Sequence, residues 1–180
     1  MLNEIRECEW KPKREYKQDA PKLKPLEFAM SIAQENGRLR DTDADWNGVC
    51  ISCSFHWWWS DFAGWHRYSR RFRGICLEKE NINAQCHTCN WTTWPRWDTV
   101  AKERVNAEYD RKLDIKYGKG TADGLKKKLN DYMRWGKMDY DLDMIIPQLI
   151  EENEELRKTK NFYAPAKKWR AIWIKWKNHN

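Results

Sequence analysis

Two cysteine pairs of equal spacing, Cys50 and Cys53 in CISC and Cys86 and Cys89 in CHTC, are the residues of this chain best suited to chemistry. A Cys-x-x-Cys knuckle presents two soft thiolates from one tight turn, so two knuckles fill a tetrahedral shell around Zn²⁺. Four protein ligands leave no open coordination position, which makes such a zinc structural rather than catalytic. His56 and His87 flank the knuckles and are alternatives for a single thiolate. Cys8 and Cys76 remain as free thiols. Between the knuckles run AGWHRYSRR, with His66 among Arg67, Arg70 and Arg71, and NINAQC, with Asn81; Asn90 directly follows the second pair. Taken singly, a histidine beside aromatics is a packed residue, an asparagine a helix cap and an arginine a solvated charge.

The rest of the chain must hold these residues in place. Over 180 residues the formal net charge is +7, which favours a polyanionic partner, nucleic acid before an anionic membrane. A module of this size buries little core, so a metal staple would add much of its folding energy. No apolar run reaches the roughly 20 residues that cross a bilayer, and MLNEIRECEW has acids where a secretion signal has its apolar centre. The expected setting is therefore cytoplasmic, where thiols stay reduced and bind metal.

Four regions are expected. Residues 1–25 mix Lys, Arg, Glu and Pro without apolar period and read as a flexible basic arm. Residues 26–98 hold a short helix, with Leu26, Ala29, Met30 and Ala33 on one face and Gly37 at its end, and then the cysteine module. In that module one strand over residues 62–68 carries His66, and a second falls near residues 75–77. Residues 99–160 are helical. Ala101, Val105, Tyr109, Leu113 and Tyr117 form a stripe ended by Gly118 and Gly120, Thr121 or Asp123 caps the next helix, and a third from about Asp139 is kinked or broken at Pro147. Residues 161–180 form a basic aromatic tail, in which Lys167, Lys168 and Arg170 alternate with tryptophans. Such a tail could contact phosphates and stack bases, dock on the body as an amphipathic helix, or lie on a membrane surface. The fold class is α+β, a small zinc-stabilised ββα module followed by α-helices.

CISC, AGWHRYSRR, LEKENINAQCHTCN and KYGKGTADGL, in this order and spacing, resemble the NinG or Rap recombination proteins of lambdoid phages, from about Leu26 to the helix near Asp139. The resemblance implies an HNH (His-Me finger-like) endonuclease that acts on branched DNA such as Holliday junctions or flaps. The family has glycine directly before its histidine, whereas Trp65 stands between Gly64 and His66 here. The spacing from His66 to Ser69, Arg70 and Arg71 fits the family, so His66 is matched to the active-site histidine and Trp65 is treated as an insertion.

The resemblance then assigns roles. His66, as a neutral imidazole near pH 7, is the general base. Asn81 orients it, and Asn90 is the first candidate ligand for a catalytic Mg²⁺ or Mn²⁺, with Asp61 the second. Arg70 and Arg71 are candidates to clamp the scissile phosphate, and Arg67, with Lys167, Lys168 and Arg170, to bind nucleic acid. Apolar stripes on the C-terminal helices could equally form core or the interface of a homodimer. Trp65 keeps a second reading open, a zinc-organised protein that binds branched or single-stranded nucleic acid without cutting it.

Overall fold

A computed structural model describes residues 24–93, 98–136, 140–160 and 169–178. The chain mixes helices with two small antiparallel sheets, in the order α1 (Pro25–Arg40), β1 (Asn47–Val49), β2 (His56–Trp58), β3 (Phe62–His66), β4 (Ile82–Cys86), α2 (His87–Thr92), α3 (Thr99–Tyr117), α4 (Thr121–Trp135), α5 (Leu142–Thr159) and α6 (Trp169–Lys177). β1 pairs with β2, and β3 with β4. Among the described residues no helix is long and apolar enough to cross a membrane. Residues 1–23 of the expected basic arm, and Lys167 and Lys168, lie outside the described residues.

Pro25 opens α1 in the first turn, where its missing N–H would have had no helical partner. Phe28, Ala29, Ile32, Ala33 and Leu39 form its buried stripe. The expected stop at Gly37 does not occur, and the helix runs on to Arg40. A Cβ at position 37 would stand 2.8 Å from Ile82 Cγ2 and 3.0 Å from Ile82 O, so glycine here permits close approach of α1 to β4. Gly64 does the same from β3, where a Cβ would stand 2.6 Å from the carbonyl carbon of Gln34. Helix and hairpin therefore meet backbone to backbone.

The strand expected at residues 75–77 is a correction. This segment leaves the short 3₁₀ turn Arg73–Ile75 and is buried as a loop, whereas the partner of β3 is β4. INAQC alternates apolar and polar residues as a strand does, yet all five are buried. Its polar face is satisfied internally: Gln85 Nε2 donates to Ser52 Oγ at 2.8 Å, and Asn83 Nδ2 to the Tyr109 hydroxyl at 3.1 Å. Tyr109 and Leu113 are the fully buried part of the α3 stripe, with Val105 half-buried and Ile51 and Leu125 packed alongside.

Asp98 caps α3, its carboxylate accepting from Val100 N at 2.9 Å. Neither Thr121 nor Asp123 caps α4; Asp114 of α3 accepts from Ala122 N at 2.9 Å instead. Asp141 caps α5, which passes through Pro147 without a break. α5 packs along α1 through Ile146 and Ile150 and through buried polar links: Asn153 Nδ2 donates to Asn36 Oδ1 at 2.7 Å, and Arg157 pairs with Glu35.

Of the tail, α6 docks on the body. Trp169 and Trp173 are buried against Phe28, with ring centroids 5.5 and 6.0 Å away, and the Trp169 indole N–H donates to Glu35. Those two rings are committed to the core, which removes them as stacking platforms for bases. Arg170 pairs with Glu154 at 2.7 Å and Lys177 with Asp143 at 2.6 Å, so part of the tail's charge is neutralised by α5.

Candidate metal centre and histidine site

Cys50 and Cys53 sit on the turn between β1 and β2, Cys86 ends β4 and Cys89 lies one turn into α2. All four sulfurs lie within 4.8 Å of one another. Zn–S bonds of about 2.3 Å place tetrahedral sulfurs about 3.8 Å apart. Cys53 Sγ and Cys86 Sγ are separated by 3.8 Å, so the donor set fits a structural metal ion such as zinc. His56 and His87 are outside this cluster.

The electrostatics point the same way. Cys50 is drawn down to about 4 by a hydrogen bond from the Cys89 thiol, helped by the backbone N–H groups of Cys86, Cys53 and Ser52. Cys86 is pushed up to about 11, first by burial and then by the charge of Cys50. Four crowded thiols thus carry one negative charge readily and resist the next. A divalent cation removes that penalty. Cys76 is remote from this chemistry: burial raises its thiol to about 11, and Sγ donates to Arg73 O at 3.2 Å.

The register of β3 and β4 fixes the orientation of His66. It runs unbroken from Phe62↔Cys86 to His66↔Ile82, so Trp65 is an ordinary strand residue opposite Asn83 and makes no bulge. Alternation puts His66 on the face of Phe62 and Gly64, covered by α1, and Trp65 on the other face.

His66 is 5% exposed, and its Nε2 lies 2.9 Å from Cys76 O. A carbonyl can only accept, so Nε2 carries the proton and Nδ1 keeps the lone pair. Burial lowers the imidazole to about 4, with the Arg70 charge acting in the same direction and the carbonyl bond against it. The ring is neutral at pH 7.

Asn81 is fully buried where the chain enters β4. Its Oδ1 accepts from Tyr68 N at 2.8 Å, and its Nδ2 donates to Tyr68 O at 3.1 Å and Ile75 O at 2.9 Å. It therefore ties both ends of the loop that starts after His66 and returns at Cys76. His66 and Asn81 are brought together as the sequence suggests.

Asn90 lies on α2, which packs on both β3 and β4. Its Oδ1 is buried and, among the described residues, has no hydrogen-bond partner, a state that an oxygen-seeking cation would relieve. Asp61 is exposed at the far end of β3. Five extended residues at about 3.3 Å each separate it from His66 by roughly 16 Å, too far to share one metal with that ring.

The arginines divide. Arg67 is held by Asp110 through two bonds, Nε to Oδ1 at 2.6 Å and Nη2 to Oδ2 at 2.7 Å, which commits its fork internally. Arg70 and Arg71 are exposed and, among the described residues, pair with no carboxylate. The Cys76 carbonyl and Asp110 are the contributors that the sequence does not announce, one being backbone and the other one of several acids on α3. Comparison with family models, with curated proteins and with solved structures finds no match to this chain.

Proposed function

We propose that the chain is a metal-dependent endonuclease of the HNH type acting on branched DNA. The observation that carries this reading is the held histidine: a neutral, single-tautomer imidazole closes a hairpin that leads into a helix, with a four-cysteine staple at one end and the exposed Arg70 close enough for its charge to act on the ring.

In this reading Nδ1 of His66 takes a proton from water as the water oxygen bonds to phosphorus, while the P–O3′ bond breaks and the 3′ oxygen leaves. Arg70 and Arg71 hold the non-bridging oxygens. A Mg²⁺ or Mn²⁺ held through Asn90 Oδ1 would supply charge stabilisation for the phosphorane and the leaving oxygen. Asn81 keeps the loop closed so that the Cys76 carbonyl stays on Nε2.

A second reading, a zinc-organised binder that does not cut, is favoured by one specific observation. His66 is almost fully buried and is a weaker base than an exposed imidazole.

The test is cleavage of labelled four-way-junction, flap and linear duplex DNA in Mg²⁺, Mn²⁺ or excess EDTA, with wild type and His66→Ala in parallel. The nuclease reading expects divalent-dependent cutting of branched substrates that falls by about 10²–10⁴-fold in the variant. Zinc content and junction affinity should be retained. Tight junction binding without cutting in any metal selects the binder.

A further inference from the structure

We infer that α3, the helix outside the hairpin module, is part of the histidine site, and that Tyr109 and Asp110 are positioning residues for His66. This rests on the nuclease reading for its kinetic consequence, but its geometric content is independent of that reading.

The two residues are consecutive on α3 and grip the chain on either side of His66. Tyr109 is 1% exposed, and its hydroxyl donates to Trp65 O at 3.3 Å and also lies 3.5 Å from Asn81 O. It accepts from Asn83 Nδ2, and Asn83 Oδ1 in turn accepts from Tyr117 OH at 3.0 Å and Lys116 Nζ at 2.7 Å. Asp110 holds the Arg67 fork, and the Arg67 guanidinium lies 4.7 Å over the Tyr68 ring. Tyr68 N and Arg67 N both bond to Asn81, to its side chain and its carbonyl respectively.

The residues before and after the histidine are therefore pinned to one helix, and the loop that brings back the Cys76 carbonyl is pinned through Asn81. Strand pairing alone would leave residues 67–76 free to shift. A buried ring with one hydrogen bond keeps its tautomer only while that acceptor stays in place.

The experiment compares wild type with Tyr109→Phe, which removes one hydroxyl from an otherwise conserved ring, and Asp110→Asn, which keeps an acceptor oxygen but loses the charge. Glu103→Gln, on the exposed side of α3, is the control. Two readouts are taken: steady-state cleavage with Mg²⁺, and the nitrogen chemical shifts of the His66 imidazole in ¹⁵N-labelled protein.

We expect kcat to fall about tenfold or more in both variants with KM within twofold, zinc content unchanged, and the Nε2–H signature of His66 replaced by averaged tautomers. A rise in KM alone, or wild-type kinetics with unchanged imidazole shifts, overturns the inference. If wild type cuts nothing in any metal, the nuclease reading fails by itself. The imidazole shifts then decide: altered in Tyr109→Phe, they support the clamp, and unaltered, they refute it.

Discussion

Lowering the pH should destabilise this protein through His66, by an amount the site's geometry predicts. The imidazole titrates near 6.5 in an unfolded chain and about 4 in the folded one, because burial disfavours the cation and Arg70 repels it. A depressed folded value means that the contribution is fully present above about pH 6.5 and is lost as pH falls from there to about 4. At 1.36 kcal/mol per pH unit the full loss is about 3 kcal/mol, of which about 2 kcal/mol is gone by pH 5. The measurement is urea unfolding of wild type and His66→Gln at about pH 7.5 and pH 5. The glutamine stays neutral, so its loss of stability should be smaller by about 2 kcal/mol. Acid release of a cysteine-bound metal affects both chains alike and cancels in the difference. Parallel losses in the two proteins would mean that His66 titrates normally and is not held as described. If the protein cuts DNA, the same shift sets the acid limb of kcat/KM near pH 4 instead of the usual histidine value.

The metal centre predicts one zinc per chain by elemental analysis, and chelation should lower the thermal midpoint reversibly, with Zn²⁺ restoring it; a chain equally stable with and without metal would refute a structural role. Gly64→Ala should destabilise the fold by about 3 kcal/mol, since the new methyl meets the main chain of Gln34, which cannot swing aside as a side chain would. A change below roughly 0.5 kcal/mol by urea unfolding would show that α1 does not press on β3 as closely as described. Replacing Arg70 and Arg71 by glutamine should weaken binding to junction DNA and flatten its logarithmic salt slope by about 2, whereas Arg170→Gln, already paired with Glu154, should change the slope little.

Much of the architecture is legible in the sequence because the signals are local. The cysteine spacing dictates a cluster, the four-residue stripe from Ala101 to Tyr117 dictates α3, and β3 ends at the histidine it was expected to carry. What sequence reasoning misses is set by contacts between distant segments. Gly37 looks like a helix stop and is instead a place where α1 touches Ile82. Residues 75–77 look like a strand because they are apolar, but an apolar segment can be buried as a loop when a neighbour such as Asn81 takes its carbonyl. INAQC carries the strand alternation, yet its polar face is not wet, because Tyr109, Lys116, Tyr117 and Ser52 arrive from elsewhere to bond it.

The same non-local chemistry governs the site. An arginine beside a histidine suggests a phosphate contact, and Arg67 would be one if Asp110 were not 43 residues along the chain and bonded to it twice. Its neighbours Arg70 and Arg71 keep their exposure, so the loop divides its charge between holding itself together and facing solvent. His66 is subject to a comparable division. Burial makes it a weaker base, but it also keeps the ring neutral across the physiological range and, with the Cys76 carbonyl, in one tautomer. In the proposed nuclease reading, a base that is always available offsets part of its lower strength where a cation acidifies the attacking water, and Asn90 Oδ1 would be that cation's ligand. Asn90→Ala therefore complements the histidine variants: it removes the amide oxygen without touching the imidazole, and should weaken divalent-ion dependence of cutting while leaving the pH–stability curve unchanged.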